Sequence, residues 1–275
     1  MNSNNLHSMY PSLAALAKSF GCDLAALAVP PSAPADLLTL RASCWWAAIG
    51  MERQGQAADP YGYLQTFDDF LMRFSETELD RKKFWAKINN PTRSHFLDTV
   101  GEAAMALHLR DQGCAIQLEV EFREGLNRKR DADIVVVAAG GAGKIWTDVV
   151  SIRPDEFAVP DGAFSPIGYT QDVAALLTKR VNRKYEDKFK LAVAGGSITD
   201  PVAIFVCMLK CEEILAPLIP LQRLGFAPDV SAPSDLWTKC PGLALAHTHR
   251  VVKHTGSDRL FPESFTTWTR PAIGD

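Results

Sequence analysis

Little in this chain runs to an extreme, and each missing extreme removes a class of protein. Only six cysteines occur in 275 residues (Cys22, Cys44, Cys114, Cys207, Cys211 and Cys240). That is too sparse for a disulfide-stapled secreted scaffold, and most sit among apolar neighbours, as reduced core thiols do. No apolar run reaches the roughly 18 residues of a spanning helix. The polar start Met1–His7 lacks the basic-then-apolar order of a secretory leader. These absences predict a soluble, cytoplasmic protein with no membrane partner. Excess positive charge is also missing: 29 Lys+Arg against 32 Asp+Glu leave a net charge of -3. A binder coated in positive charge is excluded, whereas a local basic groove is not. There is no internal repeat, no low-complexity stretch and no Gly-x-Ser-x-Gly nucleophile elbow. What remains is 47% hydrophobic and 22% charged, an ordinary globular composition. The length suits one large domain or two modest ones.

Residues 1–90 read as helical. Leu13, Leu16, Ala17 and Phe20 recur at helical spacing before Gly21. Val29–Asp36 is a proline-rich breaker, and a second helix near Asp36 carries Leu37, Leu40, Cys44 and Ile49. After the Asp59-Pro60-Tyr61-Gly62 break, a third run holds Phe67, Phe70, Leu71 and Phe74. Ser75-Glu76-Thr77-Glu78 resembles a capping box opening a helix through Phe84 and Ile88, ended by Asn89-Asn90-Pro91. This region carries no interpretable motif and is a candidate surface for a protein partner.

Residues 91–275 change character. Phe96–Gln112 predicts an amphipathic helix closed by Gly113. Cys114–Phe122 alternates as a half-buried strand, with Ile116, Leu118, Val120 and Phe122 on one side. Asp131–Val137 and Lys144–Ile152 are two further strands, joined by a turn over Ala138–Gly143. Asp155–Gly168 reads as a loop, and Thr170–Leu191 as a long helix. Ala203–Leu209 is a strand or a short apolar helix, and Leu243–Val252 is another candidate strand.

Four motif-like patterns fail on their context. Gly140-Gly141-Ala142-Gly143-Lys144 suggests a phosphate loop, but Ala138 and Ile145 occupy positions that need Gly and Ser/Thr, and a strand follows instead of a helix. Cys207-x-x-x-Cys211 has no second close pair at zinc-finger spacing. His247-x-His249 reads as a surface pair on a strand. Pro160-Asp161 with Glu186-Asp187-Lys188 is not strand-borne, and on a helix Glu186 and Lys188 point about 200° apart.

The acidic residues carry more. Asp131 and Asp133 share one face of a strand, Asp148 sits mid-strand, and Glu102 lies on the preceding helix. A carboxylate inside an apolar strand is costly unless it is paired, and a divalent cation would resolve the repulsion between two of them. The alternative is a solvated strand start at Asp131 and Asp133, with Asp148 paired to Arg128 or Arg130.

Three segments, Gly101-Glu102 through Gly113, Arg130-Asp131-Ala132-Asp133-Ile134-Val135-Val136-Val137 and Trp146-Thr147-Asp148-Val149-Val150-Ser151-Ile152, resemble the core of the PD-(D/E)XK nuclease superfamily in their order. The resemblance covers about Ser94 to Leu209. It implies an α+β restriction-endonuclease-like core, a mixed sheet flanked by helices, over residues 91–275 behind a helical region of residues 1–90. It further implies Mg²⁺ or Mn²⁺ held by Asp133 and Asp148, with Glu102 as a third or indirect ligand, and cleavage of nucleic-acid phosphodiesters.

One departure stands out. The lysine expected two residues after the motif acid is Val150, and Ala132 replaces the motif proline. Either a basic residue from elsewhere substitutes, or the core is an inactive module serving as a protein-interaction or nucleic-acid-binding subunit. Thr178–Lys190 holds six basic residues against two acidic ones. Arg180, Lys184 and Lys188 recur every fourth residue as one stripe. Lys184 and Lys188 are the candidate substitutes. Arg128, Lys129, Arg130, Arg180 and Arg183 are candidate phosphate contacts.

Overall fold

The computed structural model describes residues 3–24, 62–89, 93–124, 128–141, 143–152, 166–209, 230–254 and 256–272. The helix expected near Asp36 and most of the Asp155–Gly168 loop lie outside them. The chain divides into two compact units: residues 1–112 with 252–261, and residues 113–251 with 262–275. The helix that was expected to open the second region therefore packs with the first.

The first unit contains α1 (Ser3–Met9), α2 (Pro11–Ser19), α3 (Tyr63–Arg73), α4 (Arg81–Ile88) and α5 (Arg93–Asp111). The helical stripes bury as their spacing predicts: Leu13, Leu16 and Ala17 on α2, and Phe67, Phe70 and Leu71 on α3. Phe67 meets Phe84 and Phe96 edge-to-face at 5.6 and 5.4 Å, a favoured aromatic geometry. α5 departs from an amphipathic helix. Val100, Ala103, Ala104, Met105, Ala106 and Leu107 are all buried, so its middle is covered on nearly every side. The start of α4 also differs. Ser75 and Glu78 do interact, the Ser75 amide and hydroxyl donating to Glu78 Oε2 at 3.0 and 2.9 Å. They close a turn ahead of the helix, which begins at Arg81 and is capped by Asp80 accepting the Lys83 amide at 3.0 Å. Glu78 is also engaged by Arg110 at 2.8 Å, which draws its carboxylate toward α5.

The second unit is built on a six-stranded mixed sheet flanked by helices, an α+β arrangement. β1 (Ala115–Glu124), β2 (Arg128–Val137), β3 (Lys144–Ile152), β4 (Val202–Leu209), β5 (Leu243–Lys253) and β6 (Leu260–Thr269) lie in sequential order. β1, β2 and β3 form an antiparallel meander, and β4 and β5 continue it in parallel. Between β3 and β4 run α6 (Pro166–Lys188) and α7 (Lys190–Ala194), with α8 (Leu236–Lys239) ahead of β5. The single long helix expected to reach Leu191 is thus broken after Lys188, at Phe189, whose ring is buried and stacks on Phe122 at 5.7 Å. Val173, Leu177, Val181 and Tyr185 of α6 form one core with Trp146 and Ile152 of β3, and with Val202, Ile204 and Val206 of β4.

The structure resolves one open alternative, revises one expectation and adds a strand. The 203–209 segment is a strand, so Cys207 projects from a buried β-run and not from a helix that could pair it with Cys211. His249 is 0% exposed, not a surface residue, although its ring stacks on His247 at 5.7 Å as their shared strand face requires. β6 was not anticipated.

Candidate functional site

β2 and β3 pair through Ile134↔Thr147, Val135↔Trp146, Val136↔Ile145 and Val137↔Lys144. The next facing positions are Asp133 and Asp148. There the side chains replace the ladder. Asp133 Oδ2 accepts the Val149 amide at 2.9 Å, and Asp148 Oδ1 lies 3.4 Å from the Asp133 amide. Each carboxylate therefore engages backbone of the opposite strand, which fixes the two acids side by side. On the other side of β2, the β1 pairing is interrupted at Glu119, between Leu118↔Ile134 and Val120↔Ala132. Glu119 has φ 51, the one positive φ outside glycine among the described residues. A side-chain-bearing residue held there stores backbone strain, and it lies directly across from Asp133.

Trp146, Val150 and Ile152 share the face of β3 that carries Asp148, and all pack with the α6 core. Asp148 therefore points toward α6 and is 0% exposed. α6 meets it with two lysines one turn apart. Lys184 Nζ lies 2.7 Å from Asp148 Oδ2, within ion-pair distance but off the axis of a hydrogen bond, so Oδ2 has no aligned donor. Lys188 Nζ lies 3.2 Å from Asp148 Oδ1, 3.6 Å from Asp131 Oδ1 and 3.8 Å from Asp133 Oδ1.

The electrostatics follow from this packing. Burial, then the neighbouring Asp133 charge, push the Asp148 carboxyl up to about 7, while Lys184 and Lys188 pull it down. Burial works against the Lys188 ammonium, but Asp133 and Asp148 outweigh it and raise its pKa above the ordinary lysine value. Lys188 is accordingly a cation at neutral pH. Above about pH 7, where Asp148 is ionised, three carboxylates face two ammonium groups, an excess of one negative charge.

The remaining candidates have contacts or positions of their own. Glu102 belongs to the first unit, where its carboxylate is 2.8 Å from Lys87 Nζ. Arg128 and Arg130, candidate phosphate contacts and the alternative partners of Asp148, lie on β2. Both instead pair with the buried Glu124, at 3.3 and 2.8 Å, and neither replaces the lysines on Asp148. Lys129 pairs with Glu121 at 2.8 Å. Arg183 is exposed and 3.6 Å from Asp187. Arg180 is half-buried, one turn before Lys184 on the same stripe. The part of Asp131 was under-read: period-2 alternation placed it beside Asp133, but its contact with Lys188 depends on where α6 docks.

The donor chemistry of Asp133 and Asp148, hard carboxylate oxygens in mutual repulsion, fits Mg²⁺ or Mn²⁺. Among the described residues, no group of three or more His, Cys, Asp or Glu side chains forms a metal-ligand cluster. None of the described helices is long and apolar enough to cross a membrane. No protein-family model, no curated protein and no solved structure matches this chain.

Proposed function

We propose that the second unit is a restriction-endonuclease-like core and that the Asp133–Asp148 pair is the centre of a metal-dependent nuclease. The observation that carries this reading is the delivery of Lys184 and Lys188 from α6 to two strand-borne aspartates. The acid–lysine chemistry missing from β3, where Val150 stands, is thereby restored from the neighbouring helix. The element order within the second unit supports it as well: strands β1 to β3, helix α6, then β4 parallel to β3.

In this reading Asp133 and Asp148 hold Mg²⁺ or Mn²⁺. When bound there, such an ion would supply an activated water and positive charge at the scissile phosphate. Asp133 is held by the Val149 amide, so its orientation is set before substrate arrives. Lys184 holds its proton beside Asp148 Oδ2 and supplies positive charge where the phosphate develops negative charge. The burial of Asp148, 0% exposed, strengthens each of these interactions. Arg180, on the same stripe, meets an adjacent phosphate of the nucleic acid.

Cleavage of DNA and RNA with Mg²⁺, compared for wild type, Asp133→Ala and Asp148→Ala, tests the proposal. Loss in both variants is expected, and unchanged cleavage in both sinks the site assignment. A second reading, a non-catalytic module, is favoured by Val150 and by the ion pairs that already engage the acids. It expects no Mg²⁺- or Mn²⁺-dependent shift in melting temperature.

A further inference from the structure

Lys188 does something in this site that Lys184 does not. Its ammonium faces Oδ1 of Asp131, Asp133 and Asp148 at 3.6, 3.8 and 3.2 Å. Lys184 is ion-paired with Asp148 at the other oxygen, Oδ2, at 2.7 Å. A Mg²⁺ ion would need the carboxylate oxygens at about 2.0–2.1 Å, and it cannot share their focus with an ammonium group. We propose that Lys188 is the resident counter-cation of the site, and that a divalent cation enters by displacing it. This rests on the reading of Asp133 and Asp148 as metal ligands.

Charge and position both support the exchange. With Lys188 in place the cluster keeps one excess negative charge. With a divalent ion in its place, the three carboxylates are balanced by that ion and Lys184. Retaining both lysines beside the ion would overshoot to a net positive cluster among partly desolvated groups, which is costly. Lys188 is also the last residue of α6, so its side chain can swing out without unwinding a helix interior. Once displaced it stays at the helix C-terminus, where a cation is favoured. Lys184, four residues earlier and on the far oxygen, can remain. The two lysines thus divide the work: Lys188 positions the acids and gates the ion, and Lys184 stays beside the reacting group.

Calorimetric titration of the full chain with Mg²⁺, and separately with Mn²⁺, tests this on wild type, Lys188→Met, Lys188→Arg, Lys184→Met and Asp148→Asn, alongside melting in chelator and in Mg²⁺. Lys188→Met is expected to bind the ion about tenfold more tightly than wild type, the scale of removing one nearby competing charge. It is also expected to melt lower in chelator and to gain more from Mg²⁺. Lys188→Arg, which keeps the charge, stays near wild type, and Lys184→Met shows the smaller change. Folding of Lys188→Met only when Mg²⁺ is present also supports the exchange. If it folds in neither condition, Lys188→Gln takes its place with the same outcomes. Binding that is unchanged or weaker in Lys188→Met, yet abolished in Asp148→Asn, overturns the Lys188 assignment and leaves the metal reading standing. Absence of Mg²⁺ and Mn²⁺ binding in every form, Lys188→Met included, overturns both.

Discussion

Asp68 in the first unit and Asp148 in the second are buried almost equally, at 3% and 0% exposure, yet they are held in opposite ways. Burial raises the pKa of both. Against it, Asp68 has backbone amides, those of Leu13 and Ser12, with the Leu13 N–H donating at 2.8 Å. It caps the first turn of α2 from α3, a fixed arrangement that needs no mobile partner. Asp148 has a second carboxylate beside it and two lysine side chains against it. A carboxylate satisfied by amides is a fastener. One held by flexible ammonium groups can change partners, and that is what chemistry requires.

The largest expected effect breaks the second arrangement. The Lys184→Met/Lys188→Met double variant removes both lysine counter-cations from Asp148 and should lose about 3–5 kcal/mol in denaturant unfolding at pH 8 without metal. The loss should shrink at pH 5, where Asp148 takes up a proton. Asp68→Ala should cost about 1–2 kcal/mol, as the loss of a helix cap does, and leave any cleavage activity intact. Asp68→Asn, which keeps an acceptor oxygen, should cost less.

The pH dependence separates the sites further. Asp148 titrates at 3.8 ordinarily and at about 7 when folded, so the folded state binds the extra proton between those values. Stability from this group therefore falls as pH rises through that window and levels off above about 7. Wild type should lose stability relative to Asp148→Asn across that range, and equal slopes for the two would contradict the burial of the charge. Glu78 has the opposite sign. Its carboxyl is lowered to about 2 by Arg110 and Ser75, so its contribution is present above its ordinary 4.5 and is lost as pH falls toward 2. Last and smallest, Lys129→Gln removes an exposed pair with Glu121 and should change stability by less than about 0.5 kcal/mol.

Much of this was legible in the chain. Strict alternation located β1, and the i, i+4 recurrence of Arg180, Lys184 and Lys188 placed a basic stripe beside the apolar face of α6. What local pattern cannot carry is which partner a charge meets. Arg128 and Arg130 are nearer to Asp148 in sequence than the lysines are, yet their hairpin turns them onto Glu124, a residue whose burial the alternation did not reveal. The Ser75–Glu78 signal was a real interaction but not a helix start, because it closes a turn and Asp80, accepting the Lys83 amide, is the cap. β6 was hidden by Pro262 and by the lack of a clear apolar/polar alternation over Leu260–Thr269. His249 gave no sign that it would be buried, since a polar residue on a strand reads the same on either face of a sheet.

The most direct measurement of the central claim is the single-turnover cleavage rate of a nucleic-acid oligomer at saturating Mg²⁺ and pH 8, for wild type and Lys184→Met. If the α6 lysine serves the β2–β3 aspartates, the rate should fall at least about 100-fold while the protein still melts cooperatively. A Lys184→Met rate within about twofold of wild type, or no cleavage by wild type on either DNA or RNA, would contradict it.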